Sequence, residues 1–154
     1  MTVAGLMAAV ASGIEALTTA PLSTFEAYVT TPISTREISD GAVFIDIADE
    51  GVAEVAQGMM CGSGRWELTV PLEITATWRA ANNATDVAKA FSVLEQLAQF
   101  VRDNRSMTVD SEQTRYASWR SGTIGYHDEG RDDDARMLRA VRVVATWTIP
   151  ASTT

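Results

Sequence analysis

The chain has very few of the side chains that usually do covalent or metal chemistry. It contains one cysteine, Cys61, one histidine, His127, and one lysine, Lys89, among 154 residues. A lone cysteine excludes an internal disulfide and is typical of a protein kept in a reducing cytoplasm. No nucleophile motif surrounds Cys61 or His127, so we expect the Cys61 thiol to be structural.

Long apolar runs are also missing. No stretch approaches the roughly 18 apolar residues that span a bilayer, and Met1–Gly5 lacks the basic residues of a signal peptide. We therefore expect no membrane partner. The apolar fraction of 46% and the mean hydropathy of +0.01 are ordinary for a globular protein. The length predicts one domain over residues 1–154.

Basic residues are scarce, and there are fewer of them in the first half of the chain than in the second. The net charge is −8. Residues 1–85 carry ten acids and three arginines (net −7), whereas residues 86–154 carry ten acids, eight arginines and one lysine (net −1). Because tight binding to a phosphate backbone needs clustered Lys and Arg, the sequence does not favour it. An acidic surface would instead repel DNA and let it slide past.

Catalytic, cofactor and metal motifs are absent. There is no G-x-G-x-x-G, no P-loop and no G-x-S-x-G. Asp46 could pair with Asp49 or Glu50, but those two acids are typical of a turn. One acidic stretch lacks the ligand spacing of a calcium loop, so we interpret it as a solvated hairpin: Asp128, Glu129, Asp132, Asp133 and Asp134. We predict no catalytic, cofactor or metal residues, and a protein that is not an enzyme.

The clearest pattern present is an alternation of apolar and polar residues from Trp66 to Arg79. Alternation predicts a strand with one buried face and one face that is wet or meets a partner. At about 3.3 Å per residue this strand would span roughly 45 Å, far beyond the usual length. It should therefore bend at Pro71 or project beyond the subunit, with Pro71 dividing the two parts.

Two amphipathic helices and several shorter strands complete the prediction. Helical spacing predicts a helix from Val3 to Leu17 and another from Asp86 to Val101. In the second helix we expect Val87 and Phe91 in the buried stripe and Asp86 on the solvated side. Strands are predicted at residues 25–30, 42–48, 115–120 and 138–149.

Two segments are predicted as extended loops or arms, at residues 52–64 and 121–137. Residues 52–64 could also form a short helix, or a strand with a glycine-rich return. Together the elements predict an α+β fold, a mostly antiparallel β-sheet packed against two main helices, with these arms. Four tryptophans on predicted strands would suit a core and also subunit contacts: Trp66, Trp78, Trp119 and Trp147.

The order of these elements resembles the tail-terminator (tail-completion, neck) proteins of long-tailed bacteriophages. The resemblance is carried by AVFIDIAD at 42–49, ELTVPLEITATW at 67–78, DVAKAFSVLEQLAQFV at 86–101 and RAVRVVATWTI at 139–149. It covers most of the chain and concerns pattern and order, without a diagnostic motif.

The resemblance implies a structural virion protein, assembled in the host cytoplasm. Such a protein forms a hexameric ring that caps the tail tube and joins it to the head–tail connector, while DNA passes through its lumen without specific contacts. The implied partners are further copies of the chain, the tail tube protein, the connector or stopper protein and the tape-measure protein.

On this interpretation one set of residues is expected at subunit or partner contacts: Trp66, Pro71, Glu73, Trp78, Arg79, Met59 and Met60. The acidic stretch Asp128–Asp134 is expected to face the lumen or an adjoining ring. A head–tail stopper or tube protein is the alternative among structural proteins. A small α+β enzyme or ligand-binding module is the alternative of another class, with its pocket near Cys61, His127 or Asp46.

Overall fold

The fold is α+β, as the sequence predicts: a mostly antiparallel sheet packed against two helices. The computed structural model describes residues 2–29, 41–57, 65–79, 84–109, 112–113, 116–128 and 137–150. The helices are α1 (Val3–Glu15) and α2 (Ala84–Asp103), with a short 3₁₀ turn at Leu22–Thr24. The strands are β1 (Glu26–Val29), β2 (Ala42–Ile47), β3 (Ala53–Gln57), β4 (Arg65–Arg79), β5 (Thr108–Val109), β6 (Glu112–Gln113), β7 (Tyr116–Asp128) and β8 (Met137–Pro150).

The main sheet has the strand order β1-β2-β4-β8-β7, and β3 also pairs with β4. Only the β1–β2 pair is parallel among these pairings. The small β5–β6 hairpin is separate. Helix α1 lies against β1 and β2, whereas α2 lies against β8 and β7. The two helices therefore cover opposite halves of the same sheet.

Helix α1 forms where its apolar spacing predicts. The Thr2 hydroxyl oxygen accepts a hydrogen bond from the Gly5 backbone N–H at 3.0 Å and caps the first turn. One face is buried against the sheet, namely Leu6, Met7, Val10, Ala11 and Ile14. The core residues of β4 and β8 lie opposite one another, for example Val70 beside Trp147 and Ile74 beside Val143.

Strand β4 is one continuous element, and Pro71 does not interrupt it. Pro71 is aligned with Thr146 of β8. On the other side of β4, β3 pairs with Arg65–Thr69 and β2 pairs with Leu72–Thr77, so Pro71 lies where one partner strand gives way to the other. On the side of β4 that faces β2 and β3, the Pro71 carbonyl oxygen accepts a hydrogen bond from the Ala48 N–H at 2.9 Å. A residue in an antiparallel strand directs its N–H and its C=O to the same side. Proline has no N–H, and at Pro71 the missing N–H would point to the junction of β2 and β3. The hydrogen bonds between β4 and β8 are therefore not affected. Pro71 therefore does not end the strand, and β4 stays paired with β8 on both sides of it, from Glu67 to Arg79.

The two segments predicted as arms are partly strand. Residues 53–57 form β3, so the strand alternative for that segment is confirmed over those residues, and residues 58–64 lie outside the described part. Strand β7 continues from Tyr116 to Asp128, so the arm predicted from residue 121 was wrong up to residue 128. The glycine-rich composition of 121–128 hides the strand, because its pairing with β8 decides the conformation.

Position 41, immediately before β2, needs a glycine for two reasons, its backbone conformation and the close approach of a neighbouring side chain. Its φ is +117°, and a Cβ there would stand 2.6 Å from Cε1 of the buried Phe25 ring. Gly51 has a φ of +70°, but a Cβ added there would meet no atom of the described residues within 4 Å.

We expect Gly41→Ala to lower the free energy of unfolding by about 2–4 kcal/mol, because it adds an overpacking cost to the backbone strain. Gly51→Ala is the matched control and should cost about 1 kcal/mol, from strain alone. Urea denaturation measures both. Equal losses for the two variants would contradict the role assigned to the Phe25 contact.

Candidate functional site

The first turn of α2 is fixed to the sheet by a buried carboxylate. Asp86 Oδ1 accepts a hydrogen bond from Trp78 Nε1 of β4 at 2.8 Å. Asp86 Oδ2 accepts from Arg139 Nε of β8 at 2.9 Å and lies 2.8 Å from Arg139 Nη2. Trp78 and Arg139 are aligned neighbours across the β4–β8 ladder. Asp86 thus joins the start of the helix to both central strands.

Aromatic contacts extend this cluster towards α1. The Phe25 and Trp78 rings lie 5.8 Å apart, and Lys89 Nζ lies over both, 5.3 Å and 5.2 Å from their centroids. A cation over an aromatic face is attracted by the ring quadrupole. We therefore name Trp78, Asp86 and Arg139, with Lys89 and Phe25, the anchor cluster.

Asp86 belongs to the buried side of α2, and two predicted core residues do not. Asp86 is only 5% exposed, so its predicted place on the solvated side was wrong. Val87 and Phe91 are 44% and 56% exposed, so their predicted burial was wrong as well. With Asp86, Ala90 and Leu97 directed inward, Val87 and Phe91 fall on the side of the helix, at about 100° per residue. We name these two residues the α2 flank.

The α2 flank points away from α1. Phe100 faces α1, since a Cβ on Gly13 would lie 2.9 Å from Phe100 Cε2. Phe91 precedes Phe100 by nine positions, which at about 100° per residue places it on the opposite side of α2. Because α1 covers β1 and β2 whereas α2 covers β8 and β7, the α2 flank is directed towards the β7 side of the sheet.

Strand β7 ends the sheet on that same side. Within the described ranges its backbone pairs with β8 alone, from Tyr116 to Asp128, with one bulge between Trp119 and Ser121. An edge strand presents backbone N–H and C=O groups that can pair with another chain. The α2 flank and the β7 edge thus form one lateral side of the protein.

The predicted contact residues are spread over different environments. Trp78 is 3% exposed and belongs to the anchor cluster, and Pro71 is buried within the sheet, so neither side chain is part of the open surface. Glu73 is partly buried and pairs with Arg142 at 3.2 Å. Arg79 is partly buried, and its Nε has no hydrogen-bond partner among the described residues.

The other predicted residues lie on β2, β4 and β7 or outside the described part. Trp66 lies on β4, and His127 and Asp128 lie at the end of β7, by backbone position. Asp46 is exposed on β2 and accepts from the Ile47 N–H. The remaining predicted residues lie outside the described part, namely Met59, Met60, Cys61, Glu129, Asp132, Asp133 and Asp134.

The width of the apolar stripe of α2 was a sequence signal for the α2 flank, and the predicted burial of Val87 and Phe91 did not take it into account. Apolar residues in α2 span roughly half the helix circumference, from Phe100 round to Phe91, whereas a core-facing stripe needs little more than about 100°. Such a stripe is too wide to be buried against one sheet. One outer member, Phe100, is buried towards α1, whereas Val87 and Phe91 at the other side of the stripe are exposed.

No metal site and no membrane span emerge from the described residues. Among them, no three His, Cys, Asp or Glu side chains are grouped so that they could hold a metal ion. Neither helix of the described part combines the length and the apolar character needed to cross a membrane.

Comparison with protein-family models and with curated protein sequences gave no match.

Removal of the anchor carboxylate should cost much more than removal of the partly exposed Glu73 carboxylate. We expect Asp86→Ala to lower the free energy of unfolding by about 3–5 kcal/mol, because it takes the carboxylate from a buried guanidinium and from the Trp78 N–H. Glu73→Ala, which breaks the more exposed pair with Arg142, should cost about 1 kcal/mol or less. Chemical denaturation with tryptophan fluorescence measures both, and similar small losses would show that the anchor cluster does not hold α2.

Proposed function

We propose that the protein is a structural virion component, the tail terminator of a long-tailed bacteriophage. As a ring, most simply a hexamer, it caps the tail tube and joins it to the head–tail connector or stopper, while DNA passes through the lumen. It assembles in the host cytoplasm and becomes part of the neck of the virion. Its partners are further copies of itself, the tail tube protein, the connector and the tape-measure protein.

The order of the elements supports this proposal. The runs at 42–49, 67–78, 86–101 and 139–149, on which the resemblance rests, correspond to β2, β4, α2 and β8. These four elements make the central layers of the fold, with β2, β4 and β8 adjacent in the sheet and α2 against β8. The resemblance thus concerns the core of the domain.

The strongest support for the proposal is the lateral side formed by the α2 flank and the β7 edge. Val87 and Phe91 leave two large apolar side chains in water, beside a long strand edge. Exposed apolar groups next to an open sheet edge are typical of proteins that associate through that side. A subunit of a ring needs such a side, whereas a monomeric enzyme or ligand-binding module does not.

The charge distribution is consistent with passage of DNA. The net charge of −8 disfavours tight contact with phosphates. A lumen lined by acids would keep the duplex from adhering to the wall. The acidic residues proposed for the lumen or the adjoining ring are Asp128, Glu129, Asp132, Asp133 and Asp134.

The test is to supply the purified protein to tail tubes that lack a terminator. We expect ring-shaped particles by electron microscopy, a hexamer mass by native mass spectrometry, and tubes that stop growing at a capped end. Bovine serum albumin at equal concentration is the control for nonspecific effects.

Two outcomes would contradict the proposal in different ways. Self-polymerisation of the protein into long tubes would favour the tube-protein alternative. Binding only to the connector, without any effect on tube growth, would favour a head–tail stopper.

A further inference from the structure

We propose that Thr77 and Arg79, at the end of β4, bind the carboxylate of an acidic side chain on a partner protein. We name these two residues the anion site. The inference rests on the proposed function, because it assigns the chemistry of one contact through which the protein meets a neighbour in the neck. The site itself is defined by residues of this chain and can be tested on the isolated protein.

The anion site lies on the face of the sheet opposite the two helices. Side chains of β4 alternate between the two faces. Ala76 and Trp78 belong to the hydrophobic core that the helices cover, so Thr77 and Arg79 project from the opposite face. They are next neighbours on that face, because two residues of a strand extend about 7 Å. One ligand group can therefore contact both side chains.

Both side chains hold a buried polar atom without a partner. Thr77 is only 8% exposed, and its Oγ1 forms no hydrogen bond with any described residue. Arg79 is partly buried, and its Nε is also buried and unpaired in the described part of the chain. A donor that loses water without gaining an acceptor lowers the stability of the fold. Two such donors side by side point to an acceptor that another molecule supplies.

The neighbours of Thr77 across the sheet offer no such acceptor. They are Ala42 on β2 and Ala140 on β8, and an alanine side chain has no polar atom. Thr146 Oγ1 is also buried and unpaired among the described residues. Thr146 is aligned with Pro71, roughly 25 Å along β4 from Arg79, so it lies apart from the anion site.

The other arginines with described side chains on β4 and β8 have acids of their own. Arg139 is paired with Asp86, and Arg142 is paired with Glu73. Among the residues that the structure describes, no acid is paired with Arg79. A guanidinium stays charged in proteins and can only donate hydrogen bonds. The Arg79 guanidinium is therefore available to an acid of another molecule.

A single carboxylate fits the anion site better than the phosphate backbone of a nucleic acid. A guanidinium can give a carboxylate two parallel hydrogen bonds, and a hydroxyl can donate another. Glu26, Asp46 and Glu73 lie on the same face of the sheet, and the chain has a net charge of −8. These acids repel every phosphate of a polyanion, whereas one carboxylate meets Arg79 at short range.

The first experiment titrates the isotope-labelled protein with a short peptide of alternating glutamate and glycine, and follows the Arg79 Nε–H resonance by NMR. We expect a saturable shift of this resonance, because Nε gains a charged acceptor. The same peptide with glutamine in place of glutamate is the control and should give no saturable shift. Arg79→Lys, which keeps the charge but lacks the Nε–H group, assigns the resonance.

The second experiment compares the affinity of variants for the labelled glutamate peptide by fluorescence anisotropy. Arg79→Gln should weaken binding by about tenfold or more, and Thr77→Val by about two- to tenfold. The matched controls are Arg102→Gln, at an exposed position on α2, and Thr75→Val, at the preceding position on the same face of β4. Both controls should bind the peptide like the wild type.

Thermal unfolding of the isolated protein separates a binding role of Thr77 from a structural one. Because its hydroxyl is buried without a partner, Thr77→Val should raise the unfolding midpoint by about 2–4 °C while it weakens peptide binding. A hydroxyl that served the fold would give the opposite result, a lower midpoint, and the assignment of Thr77 would then be wrong. Circular dichroism verifies that each variant is folded.

Two results of the titration would overturn the proposal. Without a saturable shift of the Arg79 resonance on addition of the glutamate peptide, there is no anion site. An equal shift with inorganic phosphate would assign the site to a phosphate-bearing ligand, and a protein carboxylate would be the wrong partner. Either result leaves the proposed function intact, because tube capping by the wild type is measured separately. Failure of capping by a protein that binds the peptide would contradict the proposed function alone.

Discussion

The buried Asp86 carboxylate is the constraint on which the arrangement of the molecule depends. It receives hydrogen bonds from Trp78 of β4 and Arg139 of β8, and so fixes both the position and the rotation of α2 over the sheet. A helix held by an inward Asp86 must carry Val87 about 100° further round, on its side. Val87 and Phe91 lie on that side near the start of the helix, and both are exposed.

That rotation gives the domain two unlike lateral sides. On one side Phe91 is exposed on α2, which lies against β7 and β8, and on the other side α1 lies against β1 and β2. The long strands β4, β8 and β7 are paired between them, and Pro71 lies where β2 and β3 meet along β4. Within the described part of the chain the two ends of the sheet are different strands, so a contact between them in two copies would be heterologous, the kind that closes into rings when the rotation permits.

The periodicity of apolar residues was enough to predict the fold class and the main elements, but not which residues of α2 are exposed. Alternation predicted β4 and β8, and helical spacing predicted α1 and α2, because each has a strong period of its own. Strand β7 was predicted only in part, since its glycine-rich second half is held by pairing with β8. Asp86 was assigned to solvent because residue type favours exposure of an acid, and its partner Arg139 lies 53 positions away. Long-range pairing of this kind leaves no trace in the local sequence, so the burial of Asp86 could not be predicted from α2 alone.

The most direct test of the account is hydroxyl-radical footprinting of Phe91 below and above the association concentration. If the α2 flank is the contact surface, Phe91 is labelled readily in dilute protein and becomes protected on assembly, while the buried Trp78 is poorly labelled in both. Labelling of Phe91 that is unchanged when the protein associates would contradict it.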